Sequence, residues 1–398
     1  MPDAEELLDQ LREGSPIREG AEEFIVGHSL LLKVFERKLN ELSTGKINSV
    51  SRFLVGPTGA GKSTLLMALK SKGFSKGFGV SELYGDQRSG TLTEISYFVQ
   101  EIFRSFKAQI QGEVKNWQGF LDEFSNHIIL EMKEEGMPET ILLQVSSITK
   151  RIDNVFKKFP FAEPSLVEAV TTYVVAKHQG GEKDIRSMRK VIEWFLGEKL
   201  SLAELSNLGV TNKINDRNAL SILQTAVYLL KETGFAGLII LMDEVAQTMS
   251  QRLDTQVKRS FYLIQQLVDK RISGVFSCFA SLDEIIDGEY WHSIPVMSES
   301  LLRRLGLEDN DDVKVPNPFG VAYQILPVND EESRIIQNKL IGLYKEVYGW
   351  SDENCGHANE KLQESKQNDS EEYPGEVIRR SIKVLDRLLL EENFKDPL

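Results

Sequence analysis

The chain is poor in cysteine: only Cys278 and Cys355 occur among 398 residues. Two isolated thiols give neither a disulfide framework nor paired metal-ligand spacing, so a reducing cytoplasm is the expected compartment. The histidines, at 28, 127, 178, 292 and 357, are scattered, and Cys355 with His357 is too little for zinc. No apolar run approaches the roughly 18 residues that span a bilayer. The opening Met1-Pro2-Asp3-Ala4-Glu5-Glu6 lacks the basic and apolar regions of a signal peptide, so no membrane partner is expected. Positive charge is scarce as well: 47 Lys and Arg against 60 Asp and Glu leave a net charge of −13. This argues against nucleic-acid binding over the whole surface, because phosphate contacts need clustered cations. One basic face, or a pore formed on assembly, is not excluded. The small clusters Lys150-Arg151 and Arg186, Arg189, Lys190 read as solvated helix faces.

What is present is a globular composition, 41% hydrophobic and 27% charged, with room for more than one domain. Residues 56–63 read Gly56-Pro57-Thr58-Gly59-Ala60-Gly61-Lys62-Ser63, a complete phosphate-binding loop. It follows the apolar run Phe53-Leu54-Val55 and precedes the helical run Thr64-Leu65-Leu66-Met67-Ala68-Leu69. That context matters as much as the letters. The glycines let backbone N–H groups face an anion, and the helix adds the positive end of its dipole at the same point. Lys62 is expected on the β- and γ-phosphates, and Ser63 on Mg²⁺. The candidate nucleotide-binding set thus runs from Gly56 through Thr64.

Strands alternate with helices around this loop. Residues 51–55 and 78–84 read as strands, and a helix carrying Ile95, Phe98, Val99, Ile102, Phe103 and Phe106 follows, capped by Thr91 or Thr93. Ser29 is a candidate cap for the earlier helix of Leu31, Leu32, Val34, Phe35, Leu39 and Leu42. Residues 1–20 are acidic and polar. Between 107 and 210 the pattern becomes helical, near 116–135, 140–157, 165–178 and 184–198, with little that resembles a strand. Buried strands resume at Leu238–Met242 and Gly274–Ala280, and a last one is expected at Ala322–Val328. Residues 330–349 and 377–390 read as helices, with 351–372 a long loop or partly disordered. The expected organisation is an α/β parallel-sheet core in two parts, 1–106 (with an N-terminal segment) and 217–328. A helical insertion at 107–216 and a small helical lid at 329–398 complete it.

Asp243-Glu244 directly follows the apolar strand 238–242. Nucleoside triphosphate hydrolysis uses this arrangement: Asp243 holds Mg²⁺ beside Ser63, while Glu244 orients the attacking water. Ser281, and less so Ser277, are candidates for touching the γ-phosphate or the water. Arg303 and Arg304 are candidates for an arginine finger reaching a neighbour's γ-phosphate, Arg304 the better placed. The base is expected near Gly27-His28, with apolar contact from Ile25 and Val26. Because no Asn-Lys-x-Asp segment occurs, ATP is favoured over GTP.

Together, Gly27-His28 before a helix, Gly56–Ser63, Leu238–Glu244 and the strand ending in Ser281 resemble an AAA+-type P-loop ATPase of the origin-recognition branch. More narrowly, Val191–Lys199, Leu205–Asn218, Gly234–Val245 and Tyr262–Lys270 resemble the ATP-binding P-loop proteins of BREX phage-exclusion systems, the BrxD-like group. The resemblance spans about residues 21–350. It implies a Mg²⁺-dependent ATPase of bacterial antiviral defence (ATP and water to ADP and phosphate), acting with other proteins of its operon. A homo-oligomer is compatible with it, and any DNA contact is expected to be indirect. Ser281 takes the first sensor position by the same resemblance. One departure stands out: the lid of such proteins often carries Pro-Arg where this chain has Pro374-Gly375-Glu376, with Arg379 and Arg380 following. Either Arg379 substitutes from the next turn or lid sensing is weakened. A nucleotide-gated binding module with little turnover is the alternative function. A small-molecule kinase is disfavoured because no acceptor site is recognisable.

Overall fold

The computed structural model describes residues 3–14, 24–85, 92–138, 144–245, 254–269, 272–281, 317–365 and 372–393. Among these, strands β1 (Ser49–Val55), β2 (Gly79–Tyr84), β3 (Phe106–Ile110), β4 (Glu113–Lys115), β5 (Leu238–Asp243), β6 (Val275–Ser281) and β7 (Ala322–Gln324) form one sheet. Its order is β4-β3-β2-β5-β6-β1-β7. The pairs from β2 through β7 are parallel, and β3 and β4 are antiparallel at one edge.

The apolar runs of β1 and β5 are continuous because both faces are covered. Phe53 and Val55 enter one apolar cluster, while Val50 and Leu54 enter a second on the opposite face. Leu238, Ile240 and Met242 likewise face the first, and Ile239 and Leu241 the second. Period-two alternation (inward on one face, inward on the other) is how a strand buried on both sides is read. Helices α1 (Ala4–Arg12), α2 (Ser29–Ser43) and α3 (Lys62–Ser75) come early in the chain. The second cluster is closed by α2 and α3, through Leu31, Phe35, Leu39, Leu65, Leu66 and Leu69.

The first cluster runs without a break from the sheet into the helices that follow. These are α4 (Ile95–Ser105), α5 (Trp117–Glu134), α6 (Val145–Lys157), α7 (Pro164–Gln179), α8 (Glu182–Phe195), α9 (Leu202–Asn207), α10 (Ala219–Glu232) and α11 (Asp254–Val268). Trp117 sits at an aromatic junction, with ring centroids 4.6 Å from Phe103, 5.2 Å from Phe106 and Phe195, and 4.9 Å from Phe120. A third cluster joins α12 (Asp330–Tyr348), α13 (Asp352–Glu364) and α14 (Pro374–Asn393) to α1, through Leu7, Leu8 and Leu11. No described helix is long and apolar enough to cross a membrane.

Several elements differ from the sequence expectations. The pattern from 107 shows little that resembles a strand, yet β3 and β4 form a hairpin there. Phe106 continues the helical spacing of Ile102 and Phe103, which masks the alternation in which Phe106, Ala108 and Ile110 are buried. Gln111 and Gly112 both take positive φ, 53° and 84°, as a two-residue hairpin turn requires. The polar stretch 351–372 reads as a long loop or partly disordered, but 352–364 form α13, capped by Ser351. Only Ala358 and Leu362 of that helix are buried, a stripe too narrow to show periodicity. Residues 1–20 were assigned no element, and α1 lies there, capped by Asp3. Strand β7 is shorter than 322–328. His28, not Ser29, is the N-cap residue of α2. Glu94, not Thr93, precedes α4, and Thr91 lies outside the described residues.

Candidate nucleotide site

Three parallel strands bring the candidate residues to one edge of the sheet. Val55 at the end of β1 is in register with Ser281 at the end of β6, and Met242 of β5 with Phe279 of β6. The loops after the carboxyl ends of such strands form the natural crevice of a parallel sheet. There a cleft of about 520 Å³ is lined by residues 58–65, Asp243, Glu244, Ala280 and Ser281. His28, Ile25 and Val26 line it too, as do Pro374, Gly375, Ile378 and Arg379 of α14.

The loop from Gly56 to Gly61 turns through backbone that glycine adopts freely. Gly59 has φ 87° and Gly61, the N-cap of α3, has φ 92°. Lys62 opens α3, and its ammonium donates to the carbonyls of Gly56 at 2.6 Å and Pro57 at 2.7 Å. The Gly56 N–H donates to the Ser281 carbonyl at 3.3 Å, tying the loop to the neighbouring strand. Ser63 donates its hydroxyl to Asp243 Oδ2 at 2.5 Å. Asp243 Oδ1 in turn accepts the Glu244 N–H at 2.9 Å. Glu244 has φ 55°, a left-handed backbone that a side-chain-bearing residue seldom adopts. Its carboxyl pKa is raised, by desolvation first and the Asp243 charge second, with Lys62 opposing. Since Glu244 is exposed at the cleft rim, solvent screens this effect.

At the other end, His28 Nδ1 and the Tyr323 hydroxyl are 3.0 Å apart. Burial lowers the His28 pKa, while the Glu332 charge opposes. Gly27 is not a wall of the cleft. A Cβ there would stand 2.3 Å from Glu332 Oε1, so this residue serves backbone geometry. Gly56 and Pro57 also lie behind the lining, contributing the carbonyls that hold Lys62. Ser277 is interior to the sheet, its hydroxyl 2.8 Å from that of Ser51. Arg380 is fixed to Glu372 at 2.9 and 2.8 Å and to Ser365, away from the lining, whereas Arg379 is exposed on it. Arg303 and Arg304 lie outside the described residues.

Sequence reasoning missed the contribution of residues 11–14 and Phe24 to the cleft. The signal was present: Asp3 before Ala4 is a capping residue, and Leu7, Leu8 and Leu11 mark one helix face.

The donor set at the acid pair suits a magnesium ion. One hydroxyl and one carboxylate, already within hydrogen-bond distance, are what such an ion takes from protein when phosphates and waters fill its other positions. No cluster of three or more metal-binding side chains occurs among the described residues.

The family model for BREX system ATP-binding protein BrxC/D matches residues 2–396. A search of the curated proteins gave no match.

Proposed function

The chain belongs to the BREX system ATP-binding protein BrxC/D family, and from that premise we propose a Mg²⁺-dependent ATPase that works as a conformational motor or switch in phage defence. The observation that carries this reading is the Ser63–Asp243 hydrogen bond, which joins the loop and the acid pair into one centre. In this reading the amides of 58–64 and the Lys62 ammonium bind the β- and γ-phosphates. Ser63 and Asp243 hold magnesium, which when bound neutralises phosphate charge. Glu244 orients a water toward the γ-phosphorus; the bond to the bridging oxygen breaks and ADP leaves. Ser281 contacts the γ-phosphate, and Arg379 reaches it from α14. The base rests near His28, Ile25 and Val26.

An AAA+-type core with residues 107–216 inserted and residues 329–398 as a lid belongs to this proposal. The strand order supports it, since β6 and its terminal Ser281 lie between the loop-bearing β1 and the acid-bearing β5. Other proteins of the defence operon are the expected partners, in the cytoplasm, with DNA engaged through them. Arg304 from a neighbouring copy is the proposed arginine finger.

Steady-state hydrolysis and nucleotide binding by Glu244→Gln test the reading. An ATPase loses turnover and keeps ATP. If turnover is negligible before and after the substitution, the protein is a nucleotide-gated binding module instead.

A further inference from the structure

Helix α14 meets the phosphate-binding loop backbone to backbone. The Gly375 N–H donates to the Gly59 carbonyl at 2.9 Å. Pro374, the first residue of α14, has no N–H, so Gly375 supplies the first of the donors that a helix start leaves without an intrahelical partner. The loop carbonyl satisfies it. The approach is too close for a side chain: a Cβ at 375 would stand 2.9 Å from the Gly59 oxygen and 3.0 Å from its Cα. Both are backbone atoms and cannot rotate aside. On the next turn Ile378 and Arg379 line the cleft. No hydrogen bond or ion pair holds the Arg379 guanidinium among the described residues, whereas Arg380 is clamped to Glu372.

We propose that Gly375 is a positioning residue for ATP: it lets α14 rest on the loop at Gly59, and that seat carries Arg379 to the γ-phosphate. The inference rests on the reading of the cleft as the ATP site. It explains why position 375 holds glycine. The side chain is surrendered so that the helix can approach, and the cation comes from the following turn. The lid then rests on the loop backbone at one point and reaches the phosphate tail at another, so a triphosphate adds a second hold to the one at Gly59.

The test is Gly375→Ala, with Gly342→Ala and Gly356→Ala as controls. Both control glycines lie in helices of the same cluster, and a Cβ at either meets nothing within 4 Å. Alanine is the better helix former at all these positions, so a selective loss at 375 is not a propensity effect. Binding of a non-hydrolysable ATP analogue and of ADP is measured by titration calorimetry with magnesium. The expected result for Gly375→Ala is about tenfold weaker analogue binding with ADP held within about twofold, the size of one lost charge-assisted contact. The controls keep wild-type values. Equal weakening of both nucleotides, or no weakening, overturns the proposal.

Should the variant not fold, hydrogen exchange on the unmodified protein decides. The Gly375 amide is expected to exchange more slowly with the analogue than with ADP, and identical rates overturn the seat. Lys62→Ala run in parallel separates the two levels. If it too retains the analogue, the ATP-site reading has failed rather than the role of Gly375.

Discussion

Ser63 and Asp243 stand 180 positions apart in the chain, and their side-chain oxygens are 2.5 Å apart in the fold. If the pair holds magnesium as proposed, removing either end disables that hold while leaving the loop amides and Lys62. Ser63→Ala and Asp243→Asn are therefore expected to lose the magnesium-dependent part of ATP affinity, about tenfold or more. In chelator the variants and the parent should bind ATP alike. Titration calorimetry with and without magnesium checks this, and an undiminished magnesium effect in both variants refutes the assignment.

Lys62→Ala removes the ammonium that Gly56 and Pro57 hold at the loop. Charge-assisted contacts contribute roughly 1.5–3 kcal/mol each, so ATP affinity should fall by about a hundredfold with the melting temperature little changed. A fluorescent-nucleotide titration paired with a thermal melt reads both quantities.

Glu244 carries a signed pH expectation. Its raised pKa means that protonation begins at a higher pH than for an ordinary glutamate, so the acid limb of the hydrolysis profile should lie above that value. Stability runs the opposite way. A carboxyl with a raised folded pKa disfavours folding when ionised, so the cost is present above the folded pKa and vanishes below the unfolded one. Glu244→Gln should melt no lower than the parent at neutral pH, and the small advantage should disappear in acid. Melts across pH, set beside the rate profile, test both signs.

Gly237 precedes β5 with φ 145°, and a Cβ there would stand 2.4 Å from the Gly274 carbonyl oxygen. The obstructing Gly274 atoms are backbone, and the Phe78 ring stands 3.2 Å away, so relief is not easy. Gly237→Ala is expected to destabilise by about 2 kcal/mol or more, measured by denaturant unfolding.

Assembly is the remaining expectation. With the ATP analogue the protein should elute as an oligomer, and Arg304→Ala should assemble but hydrolyse slowly. A monomer under every nucleotide condition would remove the trans arginine.

The candidate centre is legible as a pattern because its residues are local in sequence. Gly56–Ser63 sits between an apolar strand and a helix, and Asp243-Glu244 ends another apolar strand; each pattern is read within a dozen residues. Strand β3 and helix α13 lack such a local signature. Phe106 satisfies a helical period and a strand period at once. Helix α13 buries too little to show a stripe. Helix α1 does carry a cap and one apolar face, but what buries that face, α12 and α14, lies far along the chain and nothing beside it in sequence announces that partner. The same distance hid the approach of Gly375 to Gly59: a glycine after a proline reads as an ordinary turn until the opposing carbonyl is seen.

That long-range partnership of α1 has a consequence during synthesis. Arg12 Nε bonds Asp386 at 3.2 Å across 374 positions, and Leu7, Leu8 and Leu11 lie in a cluster otherwise built largely by α12, α13 and α14. At ribosomal speed the first helix emerges on the order of half a minute before its shelter exists. Throughout that interval its leucines face solvent, open to capture by a chaperone or a neighbouring nascent chain. The cleft wall formed by residues 11–14 can only be set in place once α12 and α14 have been made.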